Sequence, residues 1–246
     1  MNGSFQVCAK KPAGRILLFA GAILFGLAQP PVATSAGEAS GRPAPFADAN
    51  VRLEQNATDQ DVEVVFEVKA GDKGLSKLSV VAPDGRTVVD FSAPDATTMG
   101  IRQFSFESPE PRDVQRLKAA YPQGVYTFDG ITADGEPYHS TSALNHALPA
   151  TVAFIRPKAD ARAVGTHDVQ IAWTPVKHLA AYIIEIQHAA LGVELTAKLP
   201  APASTFAVPN GYLLPGEQYQ LSIGTISKEG NISFVETTFT TAENAK

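Results

Sequence analysis

The sequence is poor in the residues that most often carry chemistry. One cysteine, Cys8, stands among 246 residues, so neither a disulfide framework nor a cysteine-rich zinc site can be built within one chain. Charged residues make up only 18% and sum to a net charge of −5. Lys and Arg are dispersed, whereas a nucleic-acid partner calls for a basic stripe or patch. Glycine loops of the forms G-x-G-x-x-G and G-x-x-x-x-G-K-[ST] are missing, so the usual phosphate cradle is not encoded and no cofactor is expected. The serine elbow G-x-S-x-G is missing too. No apolar run is long enough to span a bilayer comfortably, which takes about 20 residues; "ILLFAGAILFGL", Ile16 to Leu27, is twelve residues long.

That run has a meaning of its own. Lys10, Lys11 and Arg15 precede it, and "AQPPVATSAGE" follows, with small Thr34 and Ala36 suited to a cleavage site. The pattern predicts a secretory signal peptide over 1–36 and a secreted or periplasmic protein with no stable membrane insertion after cleavage. The alternative is an accessory subunit held by a retained leader. Cys8 lies before the apolar run, where a lipoprotein would carry its lipidated cysteine after it.

What is abundant is turn chemistry. Eighteen prolines and 19 glycines in a chain that is 44% hydrophobic predict many short strands joined by turns, an all-β class. Residues 37–50 are rich in Gly, Ala, Pro and Ser without apolar period and are expected to be a flexible tether. In "VEVVFEVK", Val62, Val64, Phe66 and Val68 share one face, as in a strand with one buried side. "LSVVAPDGRTVVDF" sets Asp84-Gly85 between β-branched runs and reads as a hairpin. "RQFSF" is a short strand with Phe104 and Phe106 inward. Val114, Leu117 and Tyr121 recur at helical intervals before Pro122, predicting one short helix. A second hairpin follows, with Tyr126 and Phe128 alternating, Asp134-Gly135 turning the chain, and Ser142, Leu144 and His146 on the return face.

A fresh set of alternating runs starts at Thr151. Val169, Ile171 and Trp173 share a face, as do Tyr182, Ile184 and Ile186, and Tyr219, Leu221 and Ile223. The expected organisation is therefore two tandem β-sandwiches, over 51–149 and 150–242.

The second unit resembles the fibronectin type III family. The matching residues are Trp173 with Thr174-Pro175, Tyr182 opening the next strand, Leu213 with Pro215-Gly216 before Tyr219, and the closing "EGNISFVETTFTT". The resemblance spans about residues 150 to 241. It implies core and corner roles for Trp173, Tyr182 and Tyr219, the Tyr219 hydroxyl bonding to backbone a few residues upstream. Some family members bind receptors through Arg-Gly-Asp before the last strand; here that loop reads Ser227-Lys228-Glu229-Gly230-Asn231. The first unit, with its "PDG" hairpin and "YPQGVYTFDGITADGE", looks like the immunoglobulin-like sandwiches of secreted bacterial proteins. A pilus-type periplasmic chaperone also has two sandwiches, but the type III corner motif of the second unit departs from it.

Several clusters hold residue types that could carry chemistry. Asp129, Asp134, Glu136, His139 and His146 offer metal-ligand types but match no ligand spacing, and they carry the alternative reading of a metal-dependent or other hydrolase. His167-Asp168 are strand neighbours and point apart. Ser140 and Ser142 have no recognisable base, although triads assemble from distant residues. Asp59, Asp61 and Glu63 lack a calcium-loop rhythm. The sequons Asn56-Ala57-Thr58 and Asn231-Ile232-Ser233 matter only in a glycosylating host. The expected function is binding to a protein or glycan of the cell envelope or exterior, without nucleic acid. Ser227 to Asn231 is the first candidate contact, the inter-domain groove the next, and an open sheet edge a third.

Overall fold

The computed structural model describes residues 42–93, 102–109, 113–188 and 190–243. The expected leader lies outside them, and among the described residues no helix is long and apolar enough to cross a membrane. From Arg42 on, the chain forms one compact unit.

The first half runs β1 (Asp48–Asn56), β2 (Asp61–Lys69), β3 (Leu75–Val81), β4 (Thr87–Ser92), β5 (Gln103–Glu107), α1 (Val114–Ala120), β6 (Gly124–Thr132) and β7 (Pro137–Leu144). Strands β1-β2-β5 pack against a β4-β3-β6-β7 sheet over a core that includes Leu53, Val64, Phe66, Leu78, Tyr126 and Phe128. The alternation in β2 is realised: Val62, Val64, Phe66 and Val68 are all buried. Phe104 and Phe106 pack on the same core, and Phe106 stacks on Phe66 at 4.8 Å. Gly85 and Gly135 turn the two expected hairpins with φ of 83° and 89°, a region where a side chain would be strained. Helix α1 is N-capped by Asp113, whose carboxylate accepts the Gln115 N–H at 2.8 Å, satisfying one orphan donor of the first turn.

The second half runs β8 (Phe154–Arg156), β9 (Ala161–Val164), β10 (Gln170–Trp173), β11 (Leu179–His188), β12 (Val193–Pro200), β13 (Thr205–Ala207), β14 (Gln218–Ser227) and β15 (Ile232–Thr241). Sheets β13-β10-β8 and β12-β11-β14-β15 enclose Ile171, Trp173, Tyr182, Ile184, Leu213, Tyr219 and Ile223. Each such side chain stabilises the fold by roughly 1.5–3 kcal/mol when fully buried. The architecture is two tandem β-sandwiches, as the patterning predicts, with the immunoglobulin-like, fibronectin type III-like layout that the resemblance implies.

Tyr219 forms the corner device. Its hydroxyl accepts the Leu214 N–H at 2.8 Å and lies 3.4 Å from the Tyr212 carbonyl, while its ring stacks on Phe239. Pro215 and Gly216 make the turn that returns those groups, Gly216 with φ 74°. Tyr182 does the same work at another corner, accepting the Val176 N–H at 2.8 Å and packing edge-on against Trp173. Tyr126 repeats the device in the first sandwich, donating to the Pro122 carbonyl at 3.1 Å.

One feature departs from expectation. Residues 42–50 were expected within a tether, yet Ala44 bridges to Tyr138, Phe46 is buried, and β1 already begins at Asp48. The physical reason is Phe46: its ring fills the space over Gly130, where an added Cβ would lie 2.7 Å from Phe46 Cζ. The sandwiches also share a sheet. β1 pairs in parallel with β15, Glu54 to Ile232 and Asn56 to Phe234, giving an eight-stranded sheet of order β12-β11-β14-β15-β1-β2-β5 with β9 beside β15.

Candidate functional site

The shared sheet has one face on the two cores and one face turned away from them. Alternation sends Ile183 of β11, Ile226 of β14 and Ile232 of β15 to the outward face. There, with Ala181 and Phe234, they form a small apolar cluster of their own. β1 and β2 bring charges to the same face, because Asp48 pairs with Lys69 and Asn50 with Glu67. The result is a groove of about 420 Å3 whose walls come from both sandwiches. Its apolar lining includes Ile183, Ile226 and Ile232; its charged lining includes Arg52, Glu67, Lys69, Lys198 and Glu229.

The charges differ in freedom. Arg52 is clamped by Glu54 at 2.9 Å and Glu67 at 2.7 Å. Burial works against its charge, but the two carboxylates outweigh burial and lift its pKa above the ordinary arginine value. Glu54 itself is pushed up by burial in spite of Arg52. Lys69 is 3.8 Å from Asp48 and half-exposed, while Lys198 and Glu229 project into solvent. A groove with an apolar lining and free charges of both signs suits an extended polar ligand.

Ser227 to Asn231 is the turn between β14 and β15, closed by Ser227 N–H to the Asn231 carbonyl at 2.9 Å. Only Lys228 and Glu229 are exposed, Gly230 is half-buried, and Ser227 and Asn231 are buried. Glu229 and Gly230 line the groove, so the first and second sequence candidates meet in one place. Asn231 holds the junction instead: its side-chain carbonyl accepts the Leu53 N–H at 2.8 Å, and its amide donates to the Ala147 carbonyl at 3.0 Å and to Asn145 Oδ1 at 2.9 Å. At 1% exposure its sequon is closed to a glycan. Arg52, Lys69, Lys198, Ile183 and Ile226 were not singled out from sequence, because only the β1–β15 pairing brings their strands together.

The candidates for other chemistry are held apart. Asp129 and His139 pair across β6 and β7 at 2.8 Å. Asp134 and Glu136 share Lys73, at 3.5 and 2.5 Å. His146 faces the Tyr121 carbonyl at 2.9 Å. Among the described residues, no three His, Cys, Asp or Glu side chains converge as a metal ion would need. Ser140 and Ser142 accept the Phe46 and Val51 N–H groups at 3.1 and 3.2 Å. His167 contacts Thr166, and Asp168 is tied to Asn210. Asp59 accepts from the Asn56 amide at 2.9 Å.

Further along the outward face Glu54, Glu185 and Glu236 gather with Asp61 and Glu63 around a second hollow of about 270 Å3. Burial first, then Glu194, Glu54 and Glu236, push the Glu185 pKa up to about 7.

Neither a family model nor a curated protein matches the sequence. The solved structures that the chain is similar to are fibronectin type III structures. A two-domain fibronectin type III segment of chicken tenascin is 15% identical with a TM-score of 0.30, covering 79% of this chain and 98% of that one. Fibronectin(III)-like modules of Clostridium thermocellum CbhA are 12% identical with a TM-score of 0.32, covering 82% and 92%. Domains FN1–FN3 of chicken CNTN1 are 14% identical with a TM-score of 0.31, covering 80% and 67%. The architecture described above stands on this chain's own strand pairing and cores.

Proposed function

We propose that this chain is an exported, non-catalytic binding or scaffold protein that holds a protein or glycan of the cell envelope or exterior in the groove between its sandwiches. One observation carries the reading: the groove is lined from both sandwiches, by Arg52 and Lys69 on one side and Ile183 and Lys198 on the other. The sandwiches are joined there by a shared sheet and by buried Asn231. A rigid junction preorganises a contact surface, which lowers the entropic cost of association. Export is supported by the charged stretch, apolar run and small-residue site at the N-terminus.

The test is amine-reactive cross-linking of the native host's envelope and secreted fractions, read by mass spectrometry, alongside a glycan screen. Lys69, Lys198 and Lys228 are the reporters, and the Lys69→Glu variant the control. Reproducible cross-links from these lysines to one partner, or one glycan class retained by the protein and lost in Lys69→Glu, supports the groove. Partners that attach only elsewhere, or none in any fraction, overturns it. Intact mass of the isolated protein tests export: loss of residues up to about Ala36 is expected.

A further inference from the structure

β12 ends the eight-stranded sheet and pairs on one side only, with β11. It runs in unbroken register from Val193, opposite His188, to Pro200, opposite Ala181. Such an edge leaves alternate backbone N–H and C=O groups unpaired, a ready template for another strand. Two other edges, that of β7 and that of β15 in the second sandwich, are covered by the protein's own chain. Along β7, the Ala44 N–H bonds to the Pro137 carbonyl and the His139 N–H to the Ala44 carbonyl. Along β15, β1 and β9 share the edge.

β12 carries no such strap. Glu194, Thr196 and Lys198 are exposed, and two apolar side chains at its start stand in solvent, Leu191 at 58% and Val193 at 44%. A hydroxyl, that of Tyr212, reaches the Val193 carbonyl at 3.4 Å. Lys198 has no carboxylate partner among the described residues.

The sequence of this edge is complementary to itself. Laid antiparallel on a second copy, about a two-fold axis through Thr196, it sets Glu194 opposite the partner's Lys198 and Lys198 opposite the partner's Glu194. On the other face of the strand, Val193 meets the partner's Leu199 and Leu195 meets the partner's Ala197. Pro200, which lacks an N–H, falls opposite the partner's Gly192, where the pairing ends. A two-fold centred on Leu195 or Ala197 loses both charge pairs: it sets Glu194 against Thr196 in one case and against Pro200 in the other. Opposite charges directly across a strand pair are favourable and like charges unfavourable, so one register is selected. A two-fold contact of this kind closes on itself and stops at two copies.

We infer that β12 is a self-association edge: two copies pair antiparallel over Val193–Leu199, joining their eight-stranded sheets into one continuous sheet. This edge borders the groove, whose lining includes Lys198, but the inference does not rest on the binding role proposed for it.

The decisive experiment combines sedimentation equilibrium with charge reversal, on the protein purified from its host at up to about 100 μM, since a small interface gives weak association. The wild type is expected to dimerise reversibly. Lys198→Glu puts like charges opposite each other twice and is expected to weaken the dimer about tenfold or more. Adding Glu194→Lys restores opposite charges and is expected to restore the dimer. Thr196→Cys in a Cys8→Ser background faces itself across the two-fold. Opposed antiparallel residues lie about 4.5–5.5 Å apart at Cα, within disulfide reach, so an intermolecular disulfide is expected under mild oxidation. A monomer at every concentration overturns the inference. So does a dimer indifferent to both charge variants, which places the contact on another surface, or a β12 edge that takes only a foreign strand.

Discussion

The Asn231 side-chain carbonyl accepts the backbone N–H of Leu53 at 2.8 Å, joining residues 178 positions apart in the chain. Leu53 sits in β1 and Asn231 in the turn from β14 to β15, so one side chain closes the seam between the sandwiches. The amide's donors go to the connector after β7, at Asn145 and Ala147. Asn231→Ala leaves the buried Leu53 N–H without a partner and takes a donor from the exposed Ala147 carbonyl, which costs about 2 kcal/mol of folding free energy. Chemical denaturation of the two proteins checks this; a loss below about 1 kcal/mol shows that the seam contributes little to the cooperative unit.

The same pair shows what the sequence could and could not reveal. Period-two patterning located the strands around Val62, Tyr126, Ile184 and Tyr219, since a buried face leaves a mark on every second residue. Turn residues such as Asp84-Gly85 and Pro215-Gly216 located the corners. The β1–β15 pairing left no mark, because strand edges meet through backbone groups that every residue carries. The groove was for that reason only half legible: Glu229 and Gly230 could be singled out from their loop, while Arg52, Lys69 and Lys198 gain their role from a neighbour far away in sequence. Asn231 read as a loop residue because burial by another strand is invisible in a local window. Phe46 sat among residues typical of a tether, and one large ring was enough to dock the segment.

The tyrosine corners should rank by what each hydroxyl does. Tyr219→Phe strands the Leu214 N–H, a donor that needs a partner, and is expected to cost about 1–2 kcal/mol. Tyr126→Phe strands only one lone pair of the Pro122 carbonyl and is expected to cost about 0.5–1 kcal/mol. Urea denaturation of the two variants compares them; the reverse order removes the donor argument.

Glu185 predicts a pH dependence whose sign follows from burial. Its folded pKa is about 7, against an ordinary value of 4.5. The folded state therefore holds a proton that the unfolded state has released over that window, and stability falls as pH rises through it. Below the window the carboxyl is neutral in both states and the penalty vanishes; above pH 7 the penalty is complete. Glu185→Gln is expected to stabilise the protein at pH 8 and to change little at pH 4, measured by denaturation at each pH. An equal gain at both values excludes Glu185 ionisation as the source.

One glycine of β14 is kept by its neighbour's ring. Gly224 and Phe234 are directly opposed on β14 and β15, and a Cβ at Gly224 would lie 2.6 Å from Phe234 Cε1. The ring thus lies over the glycine on the outward face, filling the place a side chain would take. Gly224→Ala alone is expected to cost about 1 kcal/mol, because the crowding outweighs the entropy saved in the unfolded chain. In a Phe234→Ala background the obstacle is gone and only the entropy term remains. The same substitution should there stabilise by about 0.5 kcal/mol. A double-mutant cycle reads the change of sign directly. If Gly224→Ala costs as much without the ring as with it, the glycine is retained for its backbone and not for the approach of Phe234.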